Sequence, residues 1–184
     1  MVKTCRMKEI RILDKKFREF IPADAIQARV EAIAGMINRD YKGKEVIFVG
    51  ILNGAFMFAA DLFKKIELQA RITFVKLASY RGTISTGTVR ELIGWNEDLK
   101  NMDVIVVEDI IDSGGTLERI VNELFIMEVK SIAIASMFLK PGSYGRDIPV
   151  NYVGFEIPDD FVVGYGLDYD GFGRNLPSVY SLVF

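Results

Sequence analysis

The sequence contains no histidine and a single cysteine, Cys5. Catalysis by a Ser-His-Asp or Cys-His arrangement is therefore impossible, and so is a zinc site built on histidines or on several cysteines. One cysteine cannot form an internal disulfide. Any general base must be Asp, Glu, Lys or Tyr, and a bound metal would be a hard cation held by carboxylates.

Long hydrophobic runs and an excess of basic residues are also missing. The longest uncharged stretch, Val46 to Ala60, is shorter than the roughly 20 residues of a membrane-spanning helix, and Asn53-Gly54 interrupts it. The first residues lack the apolar core of a secretory signal. The formal net charge is −2, which argues against a broad surface for nucleic acid. We therefore expect a cytoplasmic protein with neither a membrane nor a nucleic-acid partner.

What the chain does contain is a regular alternation of apolar patterns. Its 184 residues, of which 50% are hydrophobic and 26% charged, suit one globular domain. Short apolar runs typical of buried strands alternate with segments whose apolar residues follow helical spacing. The predicted strands are 45–52, 71–79, 103–108 and 131–139, and the predicted helices are 22–41, 55–66 and about 116–127. This order predicts an α/β fold with a central parallel sheet flanked by helices.

Two segments fall outside this alternation. Residues 80–98 are polar and rich in Gly and Thr, and a loop of this length in a compact domain is often a functional lid. After Pro141 the chain becomes aromatic, Gly-rich and non-helical in pattern. We expect one domain over residues 1–184, with a core of about 20–140. A small β-rich hood is expected from about 141–184 together with the N-terminal residues.

The most informative stretch is VIVVEDIIDSGGTLERIV, residues 104–121. Glu108 and Asp109 follow a buried strand, and ligands of open parallel sheets bind outside the carboxyl ends of the strands. The turn from Asp112 to Thr116 leads into a helix, where free amides and the helix dipole favour a phosphate. Carboxylates repel phosphate, so the acids should face hydroxyls or a metal ion. The stretch therefore predicts a ribose-phosphate site.

A purely structural interpretation of the same residues is the alternative. Acids after a strand often mark its exit to water, and Ser or Thr beside Gly often only caps a helix. The combination of Asp112 with the Gly-Gly turn at this spacing favours the ligand site. The stretch is neither a Walker loop nor a dinucleotide-binding fingerprint, because both need a different glycine spacing.

VIVVEDIIDSGGT resembles the phosphoribosyl diphosphate (PRPP) binding motif of type I phosphoribosyltransferases. The resemblance covers nearly the whole chain. VGILNGAFMFAADL is similar to the pyrophosphate loop of that family, and LASYRGTISTG is similar to its mobile catalytic loop. VGFEIPDDFVVGYGLDY resembles the purine-binding hood of the hypoxanthine-guanine branch.

The resemblance implies transfer of the 5-phosphoribosyl group of PRPP to hypoxanthine or guanine, which gives IMP or GMP and pyrophosphate in purine salvage. It implies two Mg²⁺ ions as the cofactor and Asp112 as the general base. The implied ribose-phosphate residues are Glu108, Asp109, Asp112, Ser113, Gly114, Gly115 and Thr116. Some relatives carry Lys at the position of Gly115, so no side-chain role is assigned there.

The remaining expectations concern the base, the leaving group and the metal. Lys140 is expected to donate to the 6-oxo group of the purine, Phe161 to stack on it, and Val162 to offer backbone groups. The implied pyrophosphate residues are Leu52, Asn53, Gly54 and Arg174, and the implied lid residues are Ser79 and Tyr80. Asp168 is expected beside the base and, with Glu108 and Asp109, as a metal ligand.

Several points stay open at this stage. A nucleotide-responsive RNA-binding regulator on the same fold is an alternative function, although the acidic balance disfavours it. An orotate- or uracil-type transferase is another, which Lys140 with Phe161-Val162 disfavours. The choice among hypoxanthine, guanine and xanthine is not determined. The family forms dimers and tetramers, so a homodimer or homotetramer is expected.

Overall fold

The computed structural model describes residues 8–77, 91–95 and 97–183, which form two sheets and three helices. In chain order these elements are β1 (Glu9–Ile12), β2 (Lys15–Ile21), α1 (Ala23–Asp40), β3 (Glu45–Leu52), α2 (Phe56–Phe63), β4 (Gln69–Leu77), β5 (Glu91–Ile93), β6 (Asp103–Ile111), α3 (Gly115–Ile126), β7 (Ser131–Leu139), β8 (Tyr152–Glu156), β9 (Val162–Val163) and β10 (Val179–Leu182). No helix among these residues combines the length and the apolar composition that crossing a membrane requires.

The larger sheet has the strand order β5-β4-β3-β6-β7-β8. Five of its strands are parallel, namely β4, β3, β6, β7 and β8. The short β5 is antiparallel to β4 at the edge. The predicted α/β fold with a parallel sheet is confirmed. Parallel pairing requires crossover connections, and helices supply two of them: α2 between β3 and β4, and α3 between β6 and β7.

Both faces of this sheet are buried because helices cover each of them. Along β6, Ile105 and Val107 pack into the cluster that contains α1 and α2, whereas Val104 and Val106 pack into the cluster around α3. The buried residues of α1 follow helical spacing: Ile26, Val30, Ile33, Ala34 and Ile37. This double burial explains why the strand segments are continuous apolar runs rather than alternating patterns.

The smaller sheet is antiparallel and has the order β1-β2-β10-β9, so it joins the two ends of the described chain. Phe17, Val163 and Tyr180 form its buried centre. This sheet is the hood. It stands apart from the larger sheet in hydrogen bonding. Residues 22–44 link β2 to β3, and residues 157–161 link β8 to β9.

Two boundaries differ from the sequence prediction. The strand predicted to end at Glu108 continues to Ile111, because the backbone ladder with β7 runs on through the polar residues. The segment assigned to the hood from residue 141 contains β8, which instead pairs with β7 in the larger sheet. Gly154 in β8 lies so close to Met137 that an added Cβ would be 2.3 Å from its carbonyl oxygen. Single-residue patterns do not reveal such pairing.

A buried tyrosine connects the hood side of the molecule to the helices. Tyr165 is 1% exposed, and its hydroxyl donates to Asp61 Oδ2 on α2 at 3.0 Å. Asp61 also accepts from Gln27 Nε2 at 2.8 Å and from Lys64 Nζ at 2.7 Å. Burial raises the pKa of Asp61, but these three hydrogen bonds outweigh it and leave the pKa lowered. The 164–168 segment is therefore held against α1 and α2.

We expect Tyr165→Phe to lower the free energy of unfolding by about 1–2 kcal/mol, because Asp61 loses one of three donors in a buried setting. Urea denaturation measures the change. Tyr169→Phe is the matched control, since its hydroxyl donates to Asp14 at the surface and its loss should change stability little. Equal effects of the two substitutions would contradict the anchoring role of Tyr165.

Candidate active site

The predicted site residues gather at the carboxyl edge of the parallel sheet. There β3 leads into residues 52–55, β6 leads into residues 112–116, and β7 ends next to Lys140. The 164–174 segment approaches the same edge, as its contact with Gly54 shows. Ser79 and Tyr80, the expected lid residues, lie outside the described residues.

The turn between β6 and α3 forms a depression of about 100 Å³. Gly114 adopts φ +80°, caps the helix without a side-chain hydrogen bond, and leads directly into Gly115 as the first helical residue. The first amides of a helix have no acceptor within the helix, so they can bind an anion. The lining residues are Glu108, Ile110, Ile111, Asp112, Ser113, Gly114, Gly115, Thr116 and Leu117. Five of the residues predicted for phosphate, Asp112 to Thr116, therefore lie together.

Glu108 contributes a buried carboxylate to this depression. It is 7% exposed, and its Oε2 atom has no hydrogen-bond partner among the described residues. Burial, and secondarily the charge of Asp109, raises the pKa of Glu108 well above its ordinary value. An unpartnered buried acceptor at the edge of an anion site is suited to a hydroxyl donor from a ligand.

Asp109, the next residue of the strand, faces the 52–55 loop. Its carboxylate packs on Gly54, where an added Cβ would lie 1.4 Å from Oδ2. Burial raises the pKa of Asp109 to about 6, although the amide of Ile110 and the charge of Arg174 act in the opposite direction. Consecutive strand residues alternate in direction, so the two acids serve different parts of the edge.

Packing contacts on two sides hold the 52–55 loop. The peptide bond between Leu52 and Asn53 is cis. Asp109 packs on Gly54 from one side, and Gly166 packs on the carbonyl of Gly54, where an added Cβ would be 2.1 Å from the oxygen. Gly166 was not among the residues predicted for the site. Its signal in the sequence is the glycine-rich run VGYGLDYDG, in which Gly164 and Gly166 both have positive φ.

Asp168 and Arg174 form an ion pair beside this loop. Arg174 Nη2 lies 2.6 Å from Asp168 Oδ1, and Arg174 Nη1 donates to the carbonyl of Gly166 at 2.6 Å. The amide of Gly171 donates to Asp168 Oδ2 at 2.7 Å. The side chains of Asp168 and Arg174 are 29% and 27% exposed, so the pair is reachable from solvent.

The residues expected around the base divide between sheet and hood. Lys140 is 8% exposed, and its Nζ lies 3.3 Å from Asp112 Oδ2, whose side chain is 56% exposed. Phe161 is 44% exposed and contacts Tyr169 edge to face, with ring centroids 5.9 Å apart. Val162 is buried in β9 and pairs with Ser181. Phe161 directly precedes β9, and its carbonyl accepts from the amide of Leu182 at 3.0 Å, so its half-exposed ring is held in a position suited to stacking.

The three acids predicted as metal ligands do not form one protein cluster. Within the described part of the chain, no group of three or more Asp, Glu or Cys side chains could hold a metal ion by itself. Asp168 is instead bound to Arg174, and Glu108 and Asp109 point to different sides of β6. The metal roles of Glu108, Asp109 and Asp168 therefore stay predictions, because the described carboxylates do not form a metal site by themselves. Mg²⁺ commonly needs only one or two carboxylates and takes its other ligands from water and substrate.

The fold is shared with known proteins. The sequence model of the phosphoribosyl transferase domain matches residues 22–170. Hypoxanthine phosphoribosyltransferase from Salmonella typhimurium is 43% identical over 166 residues, which cover 89% of this chain and 93% of that protein. Hypoxanthine-guanine phosphoribosyltransferase from Staphylococcus epidermidis is 43% identical over 158 residues, or 85% and 88% of the two chains. A crystal structure of hypoxanthine-guanine phosphoribosyltransferase from Bacillus anthracis superposes with a TM-score of 0.83 at 37% identity, covering 96% of this chain and 99% of that one.

We expect Gly54→Ala to lower stability by about 1–3 kcal/mol, because its methyl group overlaps the Asp109 carboxylate and the loop must move. Thermal and urea denaturation measure the change. Gly35→Ala on the exposed face of α1 is the control: no atom lies within 4 Å of its added Cβ, so it should stabilise the helix by about 0.5–1 kcal/mol. Similar effects of the two substitutions would show that Gly54 is not sterically required.

We expect Asp109→Asn to change how stability depends on pH when no divalent cation is present. The folded-state pKa of about 6 exceeds the ordinary 3.8, so this carboxyl favours folding below pH 4 and loses that contribution as the pH rises through 6. The loss is about 3 kcal/mol, and the Asn variant should not show it. Urea denaturation from pH 4 to 8 measures it, with exposed Asp24→Asn controlling for loss of one charge. Parallel curves for wild type and Asp109→Asn would refute the expected shift.

Proposed function

The chain belongs to the phosphoribosyl transferase family, and from this premise we propose that it makes purine nucleotides from PRPP and the bases hypoxanthine and guanine. The bond from C1′ of the ribose to pyrophosphate breaks, and a bond from C1′ to a ring nitrogen of the purine forms. Pyrophosphate leaves with the electron pair, and the proton of the attacking nitrogen goes to a base on the protein. The observation that carries the proposal is the match to relatives so named over 85–89% of the chain.

The phosphoribosyl group is assigned to the edge formed by β6 and the start of α3. The 5′-phosphate would lie over the amides of Ser113 to Thr116, where the depression and the helix dipole favour an anion. The unpartnered Oε2 atom of Glu108 would accept a hydrogen bond from a ribose hydroxyl. Asp109 would act on the opposite side of the strand, toward the pyrophosphate loop at Leu52, Asn53 and Gly54.

The purine is assigned to the space between Lys140 and the hood. Lys140 would donate to the 6-oxo group, and Phe161 would stack on the ring with Val162 at its edge. Asp112 would take the proton of the attacking nitrogen, and Lys140 within 3.3 Å holds its carboxylate in place. A general base of this kind contributes roughly 10²–10⁴-fold to the rate.

Mg²⁺ is proposed as the cofactor, and the chemistry of the edge is compatible with it. Burial raises the pKa of the Asp109 carboxyl. Arg174 makes its 2.6 Å ion pair with Asp168 rather than with Asp109. Asp109 and Asp168 would hold the ion together with oxygens of the substrate, and Glu108 would support the site through the ribose. When bound, the ion neutralises charge on the diphosphate. Arg174 would contact the leaving pyrophosphate.

A homodimer or homotetramer in the cytoplasm is part of the proposal. Phe125 and Ile126 on α3 are 68% and 82% exposed, which is unusual for large apolar side chains and fits such an assembly.

The direct test is an assay with PRPP, Mg²⁺ and radiolabelled hypoxanthine or guanine, with product nucleotide separated from free base. We expect nucleotide formation with at least one of the two bases and none without PRPP. Absence of product with both bases would overturn the proposal, and a panel that includes xanthine would define the preference.

We expect Asp112→Asn to reduce kcat by at least about 100-fold while the KM for PRPP changes little, because the amide cannot accept the proton but keeps the shape of the loop. Steady-state kinetics with saturating base measure both constants. Ser113→Ala, which removes a phosphate donor, should show the opposite pattern, with a raised KM and a smaller change in kcat. Equal losses of turnover and PRPP affinity in Asp112→Asn would exclude the general-base role.

A further inference from the structure

The depression at the start of α3 is lined by two acidic residues and, among the described residues, by no cationic side chain. The acids are Glu108 and Asp112, and the other lining residues are uncharged. A phosphate ester brings close to two negative charges at neutral pH. The helix N-terminus offers the equivalent of about half a positive charge. A cation from a residue outside the lining would therefore strengthen the binding of phosphate by the amides and hydroxyls of the loop.

Lys140 is one cation of the site, but it already forms an ion pair with Asp112. Its side chain is 10% exposed and lies 3.3 Å from Asp112. A lysine held in this position neutralises Asp112 and leaves the charge of the phosphate unmatched. Within the described part of the chain, the segment between β7 and β8 places another cation, Arg146, beside the loop.

Arg146 lies directly against the turn that forms the depression. Its Cγ would be 2.9 Å from a Cβ added to Gly114, and the ring of Tyr144 touches the same position at 2.6 Å. Its guanidinium faces Glu118 in the first turn of α3, with 3.5 Å between Nε and Oε2. The two side chains are 41% and 46% exposed. An ion pair this long and this exposed contributes little stability, so it is easily exchanged.

We infer that Arg146 binds the 5′-phosphate of substrate and product, and that it leaves Glu118 to do so. The inference rests on the proposed function, since that function places a phosphate over the loop. Because the stem of Arg146 already lies on Gly114, rotation of its terminal torsions brings the guanidinium to the phosphate. Arginine matches phosphate oxygens with two parallel donors, and such charge-assisted hydrogen bonds are stronger than its exposed pair with Glu118.

The test compares the binding of inosine 5′-monophosphate (IMP) with that of inosine, which lacks the phosphate. Isothermal titration calorimetry gives Kd for both ligands. The ratio of Kd for inosine to Kd for IMP isolates the contribution of the phosphate, and a larger ratio means a larger contribution. Arg146→Met keeps the aliphatic stem on Gly114 and removes the charge. We expect it to lower the ratio at least about tenfold, which corresponds to one charge-assisted hydrogen bond. Arg146→Lys, which keeps the charge, should recover part of the ratio.

Two controls separate the local effect from a general one. Arg39→Met removes the same charge at the far end of α1, where the side chain is 73% exposed, and should leave the ratio unchanged. Glu118→Gln frees Arg146 and should keep or raise the ratio. A ratio in Arg146→Met within twofold of wild type would overturn the inference. Failure of the wild type to bind IMP or to form nucleotide would instead refute the proposed function.

Thermal denaturation of each variant provides the check on folding. Should Arg146→Met unfold at the assay temperature, Arg146→Gln takes its place with the same expected loss. The inosine affinity reports the state of the rest of the site, because a damaged pocket weakens both ligands equally and leaves the ratio unchanged. A selective loss of IMP binding is the result that a merely structural role of Arg146 would not produce.

Discussion

The close contact between the Asp109 carboxylate and the backbone of Gly54 is the constraint on which the rest of the site depends. A carboxylate on β6 can reach the end of β3 because residue 54 has no side chain. Gly166 uses the same device from the other side and brings Asp168 and Arg174 to the edge. Residues 52–55, Asp109 and the 164–174 segment are distant in sequence but pack in direct contact. These contacts depend on the absence of a Cβ at Gly54 and at Gly166.

This geometry concentrates carboxylates where burial opposes their charge. Burial raises the pKa of both Glu108 and Asp109, and Glu108 Oε2 has no hydrogen-bond partner in the described part of the protein. An unliganded site of this kind is destabilising. Ligand hydroxyls and a divalent cation would relieve it, so ligand binding and stability are expected to be coupled.

The basic side chains near the site are paired with acidic side chains of the protein. Lys140 is held against Asp112, Arg174 against Asp168, and Arg146 against Glu118. Each of these basic groups therefore forms an ion pair in the absence of a bound phosphate. Lys140 is 10% exposed although its partner Asp112 is 56% exposed, whereas Arg146 and Glu118 are 41% and 46% exposed. Solvent therefore screens the charge of Arg146 more than that of Lys140. That difference is the reason for assigning Lys140 to positioning near the base and Arg146 to the incoming phosphate.

The sequence by itself determined the sheet, its helices and the loop from Asp112 to Thr116. Apolar periodicity and the Gly-Gly turn are local properties, and the buried positions of α1 follow from spacing alone. It misjudged the end of β6 and the partner of β8, since a backbone ladder depends on the neighbouring strand rather than on side-chain polarity.

Only the tertiary structure decided which residues share the edge. Three features of the site have no local signature in the sequence. They are the packing of Gly54 and Gly166, the separation of Glu108, Asp109 and Asp168, and the contact of Arg146 with Gly114. The physical reason is range: turns and helices are set by neighbours a few residues away, whereas a binding site is set by contacts between segments whose approach is fixed only when the core is packed.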